Sequence, residues 1–202
     1  MSENRSIIDE KELLKAIKNS DNNAFKELSE IYYKQLYGFI WRRIGDSETV
    51  KDILQDLFLN VWKLRHNLDE ERPIKPYLFA AANNLIINYS KKKTFLRNNK
   101  VDLPQDGFLS NSSSSLEWEY YIDDALLEIP ENLKVVFMMN KFEGFKYAEI
   151  AEILRISEKT VESRMSKILK FLRKKYIHAL KLLLLIFQFM IVFFAPLFVL
   201  KK

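Results

Sequence analysis

Cysteine is absent from this 202-residue sequence, and histidine (2), glycine (4) and proline (5) are scarce. Without cysteine the chain has neither disulfides nor thiolate metal sites, which fits a reducing compartment and leads us to expect a cytoplasmic body. The two histidines, His66 and His178, lack metal-ligand spacing, and the isolated glycines form no phosphate-binding loop. We therefore predict no catalytic residue, no metal, no cofactor and no enzymatic activity.

A hydrophobic secretory signal is missing from the start of the chain, at residues 1–14, so the body is expected to stay inside the cell. Its formal net charge of +5 and pI of about 9.2 favour an anionic partner, either nucleic acid or an acidic membrane face. Basic residues cluster at 91–93, 159–170 and 173–175.

Scarce glycine and proline leave long stretches with the three- and four-residue apolar spacing of amphipathic helices, and no strand-like alternation of useful length. Breaks at 19–23, 45–48 and 67–76 divide the first stretch into about four helices. A polar stretch with four consecutive serines then predicts a flexible linker. The predicted fold is all-α: a first helical domain at 1–93, the linker at 94–117, a second helical domain at 118–177 and a hydrophobic tail at 178–202.

The stretch KYAEIAEILRISEKTVESRMSKILKFLRKK, at 146–175, has the pattern of a helix-turn-helix. Its short first helix is expected to turn Ile150, Ala151 and Leu154 inward, and Ser157 can cap the second helix because its hydroxyl accepts from a free amide. The second helix carries an apolar stripe of Val161, Met165, Ile168, Leu169 and Leu172. Its opposite face combines short polar side chains, which let the backbone approach base edges, with cations that suit phosphates. That face consists of Lys159, Ser163, Ser166, Lys167 and Lys170, and a merely solvated face is the alternative interpretation.

Two helices of the first domain have informative faces. VKDILQDLFLNVWK, at 50–63, places Asp52, Gln55 and Asp56 on one side, which by itself indicates only a helix with a solvated edge. PIKPYLFAAANNLIINYSKKK, at 73–93, is predicted to expose an aromatic ring beside amides and a cation, a combination that suits single-stranded DNA but also an ordinary surface helix. It is expected to bury Leu78, Ala82, Leu85, Ile86 and Tyr89, and to expose Tyr77, Asn84, Ile87, Asn88 and Lys91.

Together these motifs resemble the RNA polymerase sigma factors of the sigma-70 family, in particular the small extracytoplasmic-function type. FEGFKYAEIAEILRISEKTVESRMSKILKFLRKK is similar to the promoter-reading region-four helix-turn-helix, and DILQDLFLNVW is similar to the region-two signature. The resemblance covers about residues 9 to 177. It implies a region-two helical bundle and a region-four helix-turn-helix in an alternative sigma factor that directs RNA polymerase to promoters.

The resemblance also implies roles for particular residues. In the family the region-two signature docks on the clamp helices of the polymerase β′ subunit, the next helix melts and reads the minus-ten element, and the loop before that helix, here Arg65 to Glu71, helps form a pocket for a flipped-out base. The linker threads toward the active-site channel, and an anti-sigma protein commonly holds such factors inactive. The positions carried over are Asp52, Gln55 and Asp56 for core polymerase; Tyr77, Asn84, Ile87, Asn88 and Lys91 for minus-ten DNA; and Lys159, Thr160, Ser163, Arg164 and Lys167 for minus-thirty-five DNA.

Two positions depart from the family pattern. Arg155 stands in the turn where the family usually has glycine, so we expect either that it adopts the turn conformation at some energetic cost or that the turn differs slightly. Asn83-Asn84 stands where the family often has Arg-Asn, which implies that one cation is missing and that the promoter preference differs.

The tail KLLLLIFQFMIVFFAPLFVLKK lies outside the resemblance. Leu182 to Leu200 would span roughly 28 Å as a helix, close to the bilayer core of about 30 Å, and basic residues precede it. We therefore expect a transmembrane helix that anchors the cytoplasmic body to the inner membrane. An interfacial helix and a buried helix remain alternatives for the tail. For the whole chain, the alternatives are a polymerase-independent helix-turn-helix regulator and a membrane-anchored signalling adaptor.

Overall fold

A computed structural model describes residues 9–98 and 128–177, and within these ranges every regular element is helical. The first unit contains α1 (Glu10–Lys18), α2 (Asn22–Ile44), α3 (Ser47–Lys63), a 3₁₀ turn (Arg65–Asn67) and α4 (Ile74–Asn98). The second contains α5 (Glu131–Lys141), α6 (Tyr147–Leu154) and α7 (158–177). The all-α prediction is confirmed for the described residues. Each predicted break at 19–23, 45–48 and 67–76 contains a junction between helices but extends two or three residues into the helix that follows.

Local capping chemistry explains where the first three helices begin. Each follows an aspartate in extended conformation whose carboxylate accepts a hydrogen bond from a backbone amide in the first turn of the helix. The three bonds are from the Lys11 amide to Asp9 at 3.1 Å, from the Asn23 amide to Asp21 at 2.8 Å and from the Thr49 amide to Asp46 at 2.8 Å. Between α2 and α3, Gly45 has φ 74°, a left-handed conformation that glycine adopts without steric cost.

A long-range contact sets the start of α4. Glu10 of α1 accepts a hydrogen bond from the Ile74 amide at 2.7 Å and another from the Tyr32 hydroxyl at 3.1 Å. Burial, and then the charge of Glu10, raise the pKa of Tyr32 above its ordinary range, so the phenol remains a donor. The carboxylate therefore joins α1, α2 and the first turn of α4.

The end of α4 differs from the prediction. The helix runs to Asn98, five residues past the expected end of the first domain at Lys93. No glycine or proline stands between Lys93 and Pro104 to stop it, and polar composition alone did not end the helix. The rest of the predicted linker, 99–117, lies outside the described residues.

The buried apolar residues of the two units form one hydrophobic cluster, and most of the predicted inward faces are correct. Leu85 and Tyr89 are half-buried, while Phe79, which we did not predict, is fully buried. Ile153 is buried where Leu154 was expected, and Leu169 is 43% exposed. Leu169 lies about 100° around the helix from buried Ile168, which explains its exposure. The largest fully buried side chains are Phe39, Phe79, Leu14, Ile17, Leu28, Leu36, Ile40, Leu54, Leu57, Leu78, Ile86 and Met138.

No helix in the ranges 9–98 and 128–177 is both long and apolar enough to cross a membrane. The predicted membrane tail, at 178–202, lies outside these ranges.

Candidate polymerase-docking and DNA-binding surfaces

The acidic face of α3 is exposed, as predicted. Val50, Ile53, Leu54, Leu57 and Val61 pack inward, and this leaves Asp52, Gln55 and Asp56 on the outside, one turn apart. Leu59, one turn beyond Gln55 and Asp56, is also exposed. The i+3 and i+4 spacing could have identified it as a neighbour of the acidic residues.

Aromatic contacts hold the far end of α3 against α2. Two aromatic side chains of α3, Phe58 and Trp62, are half-buried. Both contact Phe25, with ring centroids 6.3 Å apart for Phe58 and 5.0 Å apart for Trp62. Such pairs stabilise a particular helix orientation in addition to burying area, so the acidic face is presented by a fixed helix.

The loop that follows α3 is held in place by polar contacts. Arg65 donates to the Ser20 hydroxyl at 2.9 Å and to the Trp62 carbonyl at 2.8 Å, and its guanidinium carbon lies 4.5 Å from the Trp62 ring centroid. Lys18 pairs with Glu70, Lys11 pairs with Glu71 at 2.5 Å, and Leu68 is buried. A loop restrained at so many points is preorganised, which lowers the entropy lost when it binds a ligand.

The predicted DNA-facing residues of α4 all lie on its exposed side: Tyr77, Asn84, Ile87, Asn88 and Lys91. Tyr77 keeps enough contact with the protein that partial burial raises its pKa. It is therefore a neutral ring at physiological pH, with one side toward solvent. Ring, amides and cation thus share one face, as stacking on an unpaired base and contact with the backbone require.

Asn83 does not belong to that face. Its side chain is 6% exposed, and its amide oxygen accepts from Arg43 Nη1 at 2.8 Å. Position 83 points toward α2, so an asparagine there removes no cation from the exposed face of α4. Asn84 is the amide that faces outward, as predicted, and the expected difference in promoter preference stays a prediction.

The turn of the helix-turn-helix has the predicted cap and the predicted strain. Arg155 adopts φ 53° and ψ 48°, the left-handed conformation that favours glycine. Ser157 Oγ accepts from the Thr160 amide at 3.2 Å and shares a hydrogen bond with the Thr160 hydroxyl, 2.8 Å away. At the start of α6, Glu149 accepts from the Lys146 amide at 2.7 Å. These local bonds set the angle at which α7 leaves α6.

The polar face of α7 contains both exposed side chains and side chains that are half-buried against the protein. Lys159, Ser163 and Lys167 are exposed, whereas Arg164 and Thr160 are half-buried. The hydroxyl of Thr160 already bonds to Ser157, so Thr160 contributes first to the cap. Val161, Met165 and Ile168 are buried on the opposite side, so α7 is anchored along one edge and presents cations along the other.

Comparisons with known proteins match both units. The family model for Sigma-70 region 2 matches residues 28–95, and the model for Sigma-70, region 4 matches residues 120–172, together more than half of the chain. The ECF RNA polymerase sigma factor SigW of Bacillus subtilis is 26% identical over 178 residues, covering 82% of this chain and 95% of SigW. The ECF RNA polymerase sigma factor SigL of Mycobacterium tuberculosis is 29% identical over 144 residues, covering 68% of this chain and 80% of SigL.

Two solved structures have the same fold. CnrH in complex with the cytosolic domain of CnrY matches with a TM-score of 0.63 and 19% identity, over 84% of this chain and 98% of that one. The sigma factor RpoE from Bartonella quintana, in complex with the anti-sigma factor NepR, matches with a TM-score of 0.61 and 19% identity, over 74% of this chain and 94% of that one.

Proposed function

The chain belongs to the sigma-70 family, as a sigma factor of the extracytoplasmic-function type. We propose that one of its helices binds core polymerase and that two others bind promoter DNA. It is an alternative sigma factor that directs RNA polymerase in transcription initiation. Sigma factors are initiation factors without catalytic activity, so the polymerase performs the chemistry.

In this proposal α3 docks on core polymerase through Asp52, Gln55 and Asp56. The supporting observation is that their side chains project from a helix whose apolar side is fully occupied by the core. Carboxylates on a rigid exposed face suit a basic partner surface, and complementary charge accelerates the encounter. Exposed Leu59 adds an apolar contact at the edge of the same face.

The two remaining surfaces bind promoter DNA. On α4, Tyr77 stacks on an unpaired base of the minus-ten element while Asn84, Ile87, Asn88 and Lys91 contact neighbouring bases and backbone. On α7, Lys159, Thr160, Ser163, Arg164 and Lys167 bind the minus-thirty-five duplex, with the lysines on phosphates. The restrained loop from Arg65 to Glu71 forms one wall of the pocket for a flipped-out base.

The functional units differ slightly from the boundaries expected from sequence. We place the end of the first unit at Asn98, where α4 ends, rather than at Lys93. The linker then covers 99–117, and the second unit covers 118–177. An anti-sigma factor is the expected protein partner, as in the RpoE–NepR complex.

The tail at 178–202 is proposed to anchor the cytoplasmic body to the inner membrane. Nineteen residues from Leu182 to Leu200 would cross the bilayer core as a helix, and Arg173, Lys174 and Lys175 precede it. Fractionation of cells that produce the full chain, or a chain truncated at Lys181, tests this. Membrane recovery of the full chain alone supports the anchor, and a soluble full chain contradicts it.

Transcription in vitro tests the main proposal. The full-length protein should produce promoter-specific transcripts only when core polymerase is added. Asp52→Asn combined with Asp56→Asn should weaken core binding and transcription at least tenfold. The matched control, Glu12→Gln with Glu30→Gln, also removes two exposed negative charges but should leave both unchanged. Stable promoter binding without core enzyme, unaffected by the aspartate changes, would instead indicate a polymerase-independent regulator.

A further inference from the structure

The corner between α1 and α2 contains a serine with an unfavourable backbone conformation. Ser20 has φ 70°, in the left-handed region that glycine enters without steric cost and that a residue with a Cβ does not. The backbone of the corner is closed without the serine side chain, because the amides of Ser20 and Asp21 donate to the carbonyls of Ile17 at 2.9 Å and Ala16 at 3.0 Å. A backbone outlier of this kind points to a function of the side chain it carries.

The hydroxyl of Ser20 contacts the first residue of the loop that follows α3. Arg65 Nε donates to Ser20 Oγ at 2.9 Å, and Arg65 Nη1 donates to the Trp62 carbonyl at 2.8 Å. The guanidinium carbon also lies 4.5 Å from the centroid of the Trp62 ring, and that ring packs on Phe25 near the start of α2. The bond to Ser20 therefore ties the start of the loop to a residue 45 positions earlier in the chain.

Helix α1 also contacts the other end of the loop. Lys18, in the last turn of α1, pairs with Glu70, and Lys11, in its first turn, pairs with Glu71 at 2.5 Å. Ion pairs with this much exposure to water each contribute little free energy. The position of the loop thus depends on several weak contacts from one element, and Ser20 supplies the one at the start of the loop.

Between these anchored ends, two polar side chains face solvent. His66 and Asn67 are exposed, and within the described residues neither side chain has a hydrogen-bonding or ionic partner. Their backbone is fixed in a 3₁₀ turn, in which the amides of Asn67 and Leu68 donate to the carbonyls of Leu64 at 2.8 Å and Arg65 at 3.2 Å. An imidazole and an amide can both bond to the edge of an unpaired base.

We infer that Ser20 is a positioning residue for base selection: through Arg65 it fixes the turn that presents His66 and Asn67 to the flipped-out base. This inference rests on the proposed assignment of the loop from Arg65 to Glu71 to that base. Hydrogen-bonding groups discriminate between bases only when they are held in place, because a mobile side chain loses entropy on binding and can shift to accept a different base. Ser20 therefore sets how strictly the pocket selects its base.

Transcription by the full-length protein with core polymerase, from templates with a randomised minus-ten element, tests the inference. His66→Ala combined with Asn67→Ala identifies the position that the loop reads, as the one at which base preference is lost. Ser20→Gly should reduce the preference at that position about threefold, as expected for the loss of one exposed hydrogen bond, and leave the other positions unchanged. Ser29→Ala is the matched control, because its hydroxyl bonds within α2 to the Phe25 carbonyl at 2.8 Å; it should alter no preference.

Two further variants separate positioning from general structural support. Ser20→Gly relieves the left-handed strain and should raise the urea midpoint, whereas Ser20→Ala keeps the strain and should not. Both remove the acceptor, so both should lose base preference to the same extent. If Ser20 only supported the fold, the more stable Ser20→Gly would select its base as strictly as the native protein. Arg65→Lys keeps the charge but cannot bond to both acceptors. Adding Ser20→Gly to it should cause no further loss, and additive losses would contradict an effect that passes through Arg65.

Hydrogen exchange of the full-length protein without DNA reports on the loop itself. The amides of Asn67 and Leu68 should exchange about threefold faster in Ser20→Gly than in the native protein, because the turn they close opens more often. Ser29→Ala should match the native protein. Unchanged exchange in Ser20→Gly, or an unchanged base preference, would overturn the inference. A native protein that is inactive with core polymerase, or that shows no position read by the loop, contradicts the proposed function instead, and the exchange rates still show whether Ser20 holds the turn.

Discussion

Replacing Arg155 by glycine should stabilise this protein, although the change removes a long side chain from the DNA-binding unit. Arg155 occupies the left-handed region at φ 53°, directly after α6, and its side chain is exposed. Within the described residues that side chain makes no hydrogen bond or ion pair, so its loss removes no folded-state contact there. The backbone conformation therefore decides the sign of the effect.

The expected gain in the free energy of unfolding is the difference between the backbone strain that glycine relieves in the folded state and the entropy that it adds to the unfolded state. A residue with a Cβ pays about 1–2 kcal/mol in the left-handed conformation. Glycine avoids that cost, but its more flexible unfolded state offsets about 0.5–1 kcal/mol. The net stabilisation should be about 0.5–1 kcal/mol, and for a urea m-value of about 2 kcal/mol/M the midpoint should rise by about 0.25–0.5 M.

Urea unfolding followed by helical circular dichroism measures this shift. The free energy of unfolding should rank Arg155→Gly first, Arg155→Asn second and Arg155→Lys level with the native sequence, because asparagine tolerates the left-handed region better than lysine does. Gly144→Ala is the reverse control. Gly144 has φ 76°, and an added methyl group would meet no other atom within 4 Å, so its loss of stability should report backbone strain alone. Equal stability of glycine and lysine at position 155 would refute the strain argument.

Three further predictions address the elements that position the surfaces. Glu10→Ala should lower the free energy of unfolding by about 1–3 kcal/mol, because the Ile74 amide and the Tyr32 hydroxyl lose their acceptor; an unchanged urea midpoint would contradict this. Asp46→Ala should lower it by about 1 kcal/mol at neutral pH. Hydrogen bonding from Thr49, with a smaller contribution from Lys93, holds the pKa of Asp46 below its ordinary value. The stabilisation by Asp46 is therefore present above the pKa that this group has in the unfolded chain, and it is lost as pH falls through the pKa of the folded protein. The native protein and Asp46→Ala should thus become equally stable in acid. A stability difference that does not change with pH would contradict this prediction. Lys167→Ala should weaken duplex binding by the second unit uniformly across sequences and reduce the salt slope by about one, whereas an unchanged slope would mean that Lys167 contacts no phosphate.

The positions of most helices could be predicted because their signals are local. The aspartates before α1, α2 and α3, the glycine after α2 and the proline before α4 act on backbone groups within a few residues. The exposed faces of α3, α4 and α7 follow similarly from helical periodicity. The end of α4 was missed because it depends on the absence of a stop signal rather than on the presence of one.

The amino-acid sequence by itself determined the helical elements, their polar faces and the resemblance to sigma factors, because these depend on neighbours along the chain. Only the tertiary structure showed where the amide of Asn83 lies: it is buried and bonds to Arg43, whereas Asn84 faces solvent as the helical periodicity predicts. It also decided that Arg43 pairs with Glu131, 88 residues away. No periodicity encodes such a pair, since it exists only where packing brings two distant helices together and removes their charges from water.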